Sequence, residues 1–201
     1  MLNAIARIRY VHGLVAAIVL VLGGCRSSTP SAPVPVVDLI REFAAADKRP
    51  PLGFALTEHQ AGGVVRRAIA APVPSRLTLA LPLPRRGVLR AFVALADPPA
   101  GVPAAAVRLR VGVSDHRIYE GLTDLMLPPG ERNWVELRAD LSAYAGWKWS
   151  LFYRPDRITW RVVLAADATQ NVPGTVLWAS PEILTDVEAA REYVARRQRL
   201  R

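Results

Sequence analysis

The chain has 201 residues, enough for one domain of ordinary size, and 26 basic against 17 acidic residues give it a formal charge of +9. Such a balance can indicate a nucleic-acid or anionic-polymer partner. Because the arginines are scattered rather than clustered with aromatic residues, we expect no nucleic-acid partner. Binding to anionic glycans or lipopolysaccharide stays open. The single cysteine excludes a disulfide within one chain.

The N-terminal segment has the layout of a secretory signal. It carries Arg7 and Arg9 without an acidic residue, and an apolar run follows at 14–22. That run is shorter than the about 20 apolar residues of a membrane span. It ends in Leu22-Gly23-Gly24-Cys25, which resembles the lipobox of bacterial lipoproteins. The resemblance implies cleavage before Cys25 and a covalent lipid on its thiol, which binds the protein to membrane lipid. The alternative is an N-terminal membrane anchor that is not cleaved.

The residue after the cysteine bears on localisation. In Gram-negative sorting an Asp at that position retains a lipoprotein in the inner membrane, and this chain has Arg26. The resemblance therefore implies an outer-membrane lipoprotein, on the periplasmic or surface side. The following stretch to Val37 is rich in Ser, Thr and Pro, which predicts an extended tether.

The rest of the chain predicts a mainly β domain. A short helix is expected at 38–47, begun by Asp38 and stopped by Pro50-Pro51. From residue 52 onward, short apolar runs recur between Pro, Gly and Asp, and several alternate with period two, as in Val107-Arg108-Leu109-Arg110-Val111. Many short alternating strands indicate a β-sandwich or jelly roll.

A terminal helix is expected at 186–201, with Val187, Ala190, Tyr193 and Val194 on one face. The resulting organisation has four parts: a signal peptide at 1–24, the lipidated cysteine and tether at 25–37, a β-sandwich at 38–185 and the C-terminal helix at 186–201.

No catalytic constellation is recognisable. Ser114, Asp115 and His116 are consecutive, so they cannot converge as a triad. We interpret the carboxylates of Asp115, Glu120 and Asp124 as solvated surface groups. Because no metal-ligand spacing or phosphate loop occurs either, we expect no enzyme activity, no metal and no cofactor besides the lipid on Cys25.

The aromatic residues are the best ligand-binding candidates. Aromatic side chains on a sandwich can stack on sugar rings, although more often they belong to the core. Trp134 and Trp160 begin strands in alternating register, so we interpret them as core. Trp147 and Trp149 flank a lysine near a turn, and with Tyr153 they are the candidate glycan-binding residues.

A longer resemblance covers roughly residues 38–184. Residues 134–146 read W-V-E-L-R-A-D-L-S-A-Y-A-G, and the last strand ends in Trp178-Ala179-Ser180-Pro181. Both stretches resemble the galactose-binding-like β-sandwich that precedes the catalytic domain of some bacterial lipoprotein sulfatases. At the closest match to the sulfatase motif, 72–76, a proline stands where the nucleophile belongs. Sulfatase activity is therefore not implied.

Two functions remain. The first is a non-catalytic, membrane-anchored module that binds a glycan or cell-envelope polymer. The alternative is a detached N-terminal module or accessory subunit that packs on a sulfatase-like partner. The arginine-rich end of the terminal helix is the candidate partner-binding surface: Arg196, Arg197 and Arg199.

Overall fold

A computed structural model describes residues 32–115, 117–144, 160–170 and 173–199. Eleven antiparallel strands and one C-terminal helix account for most of them. The strands are β1 (Val34–Asp38), β2 (Asp47–Arg49), β3 (Ala55–Ala61), β4 (Val64–Val73), β5 (Ser75–Ala80), β6 (Val88–Leu95), β7 (Val107–Ser114), β8 (Tyr119–Leu127), β9 (Val135–Asp140), β10 (Arg161–Ala168) and β11 (Gly174–Thr185); the helix is α1 (Val187–Arg199).

The strands form two sheets. Sheet A has the order β3-β4-β11-β6-β9, and β1 also pairs with β11. Sheet B has the order β2-β5-β10-β7-β8. Each sheet contains one pair of consecutive strands, β3 with β4 and β7 with β8, but most neighbours are far apart in sequence, as in the pairing of β10 with both β5 and β7. This arrangement confirms the expected mainly β sandwich with a C-terminal helix.

The core lies between the two sheets and takes alternate residues from each strand. In β7, Val107, Leu109 and Val111 are buried, whereas Arg108 and Arg110 point to the other side. Trp178 of β11 is the largest fully buried side chain. Burying one face of each strand makes the register specific, because a one-residue slip would put the arginines into the core.

The segment before the sandwich differs from the expectation. Residues 34–38, at the end of the expected tether, form β1 and pair with β11. The helix expected at 38–47 is reduced to a 3₁₀ turn at Phe43–Ala45. The Asp38 carboxylate accepts a hydrogen bond from the Ile40 N–H at 2.9 Å and so closes a tight turn instead of starting a helix. Sheet pairing outweighs the local helical pattern here.

Helix α1 forms where expected, and Tyr193 of the expected face is buried, but the docking side is rotated away from Val187 and Val194. Ala189 and Tyr193 are its buried residues, whereas Val187 and Val194 are 37% and 50% exposed. Asp186 caps its N-terminus, since its carboxylate accepts a hydrogen bond from the Ala189 N–H at 3.0 Å. This bond lowers the pKa of Asp186. Residues at i and i+4 share a face, so Ala189 and Tyr193 define the docking side.

Two adjacent substitutions test this docking. We expect Tyr193→Ala to lower the free energy of unfolding by about 3 kcal/mol, because it removes a buried aromatic ring. Val194→Ala should change it by less than about 0.5 kcal/mol, because that side chain is half exposed. Urea unfolding of both variants measures the difference, and equal losses would contradict the assigned face.

Candidate ligand-binding surface

Several residues that the sequence singled out lie outside the described part of the chain. These are Cys25, the candidate glycan-binding residues Trp147, Trp149 and Tyr153, and His116. Their assignments stay predictions. The two tryptophans interpreted as core are half-buried: Trp160 packs edge-on against Tyr144 with ring centroids 5.2 Å apart, beside the main core. Trp134 belongs to a second, smaller cluster.

The candidate partner-binding arginines lie on the last turns of α1. Arg197 forms an ion pair with Glu42 of the turn after β1. This pair raises the pKa of the Arg197 guanidinium and ties the end of the helix to the sandwich. Arg196 is half-buried and Arg199 is exposed. Their role toward a partner stays a prediction.

The acidic residues near β8 do not form an acid–base pair. The Asp115 carboxylate accepts hydrogen bonds from the Arg117 and Ile118 N–H groups, which lowers its pKa and closes the loop expected after β7. Asp124 pairs with Arg108, whose hydrogen bonds lower the pKa of Asp124. In the ranges that the structure describes, no group of three or more His, Cys, Asp and Glu could hold a metal ion.

The motif after β9 builds a tight turn. The Asp140 carboxylate accepts hydrogen bonds from the N–H and the hydroxyl of Ser142, at 2.8 and 2.6 Å. Both bonds lower the pKa of Asp140. Tyr144, at the end of this turn, packs on the sandwich, and burial together with a hydrogen bond to Glu120 raises its pKa to about 12. Asp140, Ser142 and Tyr144 therefore have a structural role: they shape the turn and pack it on the sandwich.

The outer face of sheet A, turned away from the main core, is filled by its own side chains. Ala68, Ala94 and Leu177 are buried there. Trp134 lies in the same cluster, donates a hydrogen bond to the Val64 carbonyl at 2.8 Å and contacts His59 edge-on. These contacts hold the hairpin of β3 and β4 against the start of β9, so little of this face is left for a ligand.

A groove between β1 and α1 has a volume of about 840 Å³. Its three carboxylates each form an ion pair with an arginine. The pairs are Asp38 with Arg41, Glu42 with Arg197, and Glu182 with Arg90. Arg67 also lines the groove, so what the groove lacks is uncompensated negative charge.

The outer face of sheet B is different, because one row of side chains crosses all five strands. In register order the row contains Arg49 on β2, Arg76 on β5, Ala165 on β10, Arg110 on β7 and Asp124 on β8. Neighbours in such a row lie on the same face with Cβ atoms about 5 Å apart. We call these five residues the arginine row.

A shallow depression of about 360 Å³ lies over one end of the row. Arg49, Arg76 and Arg110 line it together with one carboxylate, Asp167. Arg110 is paired with Asp167. The depression therefore holds three guanidinium groups against one carboxylate, and each guanidinium carries five hydrogen-bond donors.

Tyr119 covers the adjacent part of the same face. Its ring lies where a Cβ atom on Gly112 would be, 2.6 Å from such an atom, so only glycine fits at that position. The Arg76 guanidinium lies 5.5 Å from the centre of the ring. The close approach at Gly112 places an aromatic side chain beside the depression.

Sequence reasoning missed Arg49 and Arg76 as functional candidates. Arg76 alternates with buried leucines at 77 and 79, which marks it as an outward residue. Arg49 precedes two prolines and was not assigned to a strand. Its position opposite Arg76 depends on a pairing across 27 residues of chain, from 49 to 76, and no local pattern encodes that.

Comparisons with known proteins yield only distant similarity. No protein-family model and no curated sequence matches the chain. Among solved structures it is similar to CBM51-2 with the INT domains of Clostridium perfringens ZmpB (TM-score 0.45, 13% identity, 71% of this chain and 32% of that one). It is also similar to the CBM22-1–CBM22-2 tandem domain of Paenibacillus barcinonensis Xyn10C (TM-score 0.48, 16% identity, 80% of this chain and 48% of that one). A third similar structure is TmCBM61 in complex with β-1,4-galactotriose (TM-score 0.43, 8% identity, 75% of this chain and 97% of that one).

This chain thus spans about a third of the length of the ZmpB structure. With TM-scores below 0.5, these similarities specify no ligand. Any function must be argued from the chain's own geometry.

Two glycines that pair across β7 and β8 test the position of Tyr119. We expect Gly112→Ala to lower the free energy of unfolding by about 1–3 kcal/mol and to displace the ring, because the added methyl overlaps it. Gly121→Ala is the matched control, since its Cβ would only touch the ring at 3.8 Å. Urea unfolding and the near-ultraviolet circular dichroism of tyrosine report both effects; equal behaviour of the two variants would contradict the packing.

Proposed function

We propose that residues 32–199 form a non-catalytic, glycan-binding module whose ligand contacts the outer face of sheet B. The observation that carries the proposal is the arginine row beside Tyr119 on a sheet face that holds an open depression. Arginine side chains offer several hydrogen bonds to sugar oxygens, and a tyrosine offers an apolar ring face. Ligand sites combine such groups in concave places.

The sequence resemblance to galactose-binding-like modules is a second support. It rests on the stretch at 134–146 and on Trp178-Ala179-Ser180-Pro181, and not on the residues of sheet B. The two arguments are therefore independent. The candidate residues Trp147, Trp149 and Tyr153 would extend the same binding function if they lie beside this face.

We also propose that a lipid on Cys25 anchors the module to the membrane, with the outer membrane as its location. Eight residues, and thus nine Cα–Cα steps, separate Cys25 from the first strand residue, Val34. A fully extended chain of that length spans at most about 30 Å. Among the described residues no helix is both long and apolar enough to cross a bilayer. The anchor would keep the module close to the cell-envelope polymers that it binds.

The accessory-subunit hypothesis concerns a different surface. It would use the exposed side of α1, where Arg199 and the half-exposed Val194 lie. It does not compete with glycan binding on sheet B, because the two surfaces share no residue.

The proposal is tested with the full chain in a non-ionic detergent against a panel of neutral and acidic polysaccharides in affinity electrophoresis. We expect retention by at least one polymer. A double variant, Arg76→Ala with Tyr119→Ala, should weaken that retention at least tenfold, because it removes both side chains beside the depression.

Arg138→Ala is the control, since Arg138 lies on β9 of sheet A and pairs with Glu136. Its retention should equal that of the unmodified chain. If no polymer is retained, or if both variants weaken retention equally, the proposed surface is wrong.

A further inference from the structure

Two arginines face each other at the edge of sheet B. Arg49 of β2 and Arg76 of β5 are directly paired in register, and both are exposed. Like charges in this relation destabilise a sheet, because their Cβ atoms are only about 5 Å apart. The fold therefore holds two positive charges together at a cost in stability.

The nearby carboxylates compensate these charges only in part. Asp47 lies 3.6 Å from the Nε atom of Arg49, which is beyond hydrogen-bond distance. Asp167 and Asp124 pair with Arg110 and Arg108 instead. In the described part of the chain, Arg76 forms no ion pair, and its guanidinium lies 5.5 Å from the centre of the Tyr119 ring.

Small side chains keep the space between the arginines open. Ala165 follows Arg76 in the row and ends in a methyl group, so the floor of the depression stays low. Arg110 lies on the far side of Ala165. An oxyanion placed over this floor would meet guanidinium groups from both sides, and guanidinium binds carboxylate and sulfate oxygens in a two-pronged geometry.

We propose that Arg49 and Arg76 bind a sulfate or carboxylate group of an acidic polysaccharide, with Arg110 at the far side of the same site. The inference rests on the proposed glycan-binding function and adds the chemical class of the glycan. The repulsion between Arg49 and Arg76 destabilises the edge of sheet B in the free protein. A bound anion offsets that repulsion, so it binds at the place where the repulsion acts.

The arrangement of charge favours an acidic glycan over a nucleic acid. Asp167 forms an ion pair with Arg110 beside the row and Asp124 ends the row, so the positive charge is confined to a short stretch. This suits a polymer whose anionic groups are spaced apart. A single-stranded nucleic acid is bound by several aromatic side chains that stack on successive bases. Among the described residues of this face, only Tyr119 is aromatic.

The test compares dextran sulfate with neutral dextran on the full chain in detergent. We expect dextran sulfate to bind at least tenfold more tightly at 50 mM salt, and its affinity to fall as salt rises, since exposed charges are screened. Arg49→Gln with Arg76→Gln should weaken dextran sulfate binding at least tenfold. The same variant should unfold at an equal or higher urea concentration, because a like-charge contact is removed.

The matched control is Arg132→Gln with Arg191→Gln, which removes the same formal charge from two exposed positions outside sheet B. It should weaken binding less than threefold. Equal losses in the two double variants would mean attraction to overall charge and would overturn the site. Binding of a short DNA duplex as tight as that of dextran sulfate would overturn the assignment to a glycan.

The remaining outcomes separate the two proposals. Binding of neutral dextran or another neutral polymer with the same affinity as dextran sulfate would overturn the anionic class and leave the glycan-binding function standing. Failure of every polysaccharide to bind would overturn both.

Discussion

The apolar core between the two sheets decides which side of every strand meets solvent. Each strand contributes alternate residues to that core, so the register of one strand constrains those of its neighbours. Leu77 on β5, Val111 on β7 and Leu164 on β10 are all nearly inaccessible. Once these side chains are buried, the residues directly before and after each of them must project from the opposite face of the sheet. The arginine row is thus a consequence of how the core packs, and it cannot shift without exposing the core.

The two outer faces use their polar groups in opposite ways. On sheet A, Trp134 and the hairpin of β3 and β4 close over a small apolar cluster. On sheet B, Ala165 lines the depression between arginine side chains, and Gly112 makes room for the ring of Tyr119. Ion pairs satisfy Arg108 and Arg110 within the sheet. Exposed pairs of this kind contribute little to stability, so their main effect is to orient the guanidinium groups.

The strands could be predicted from the sequence because their signal is local. Alternation at residues 107–111 predicted β7, in which Val107, Leu109 and Val111 are buried. The prediction of a helix at 38–47 was wrong, because the pairing of β1 with β11 and the turn at Asp38 outweighed a weak helical pattern. The docking face of α1 depends on where the helix meets the sandwich, which the helical period alone does not fix. The pairing of Arg49 with Arg76 could not be predicted from the sequence either, because it depends on the register between two strands that are distant in sequence.

The measurement that tests the central claim most directly is a crystal structure of the chain with a sulfated oligosaccharide prepared from dextran sulfate. We predict a sulfate group over Ala165, with its oxygens about 2.8 Å from the guanidinium nitrogens of Arg49 and Arg76. A sulfate bound on another surface, with both of these arginines in contact only with solvent, would contradict the claim.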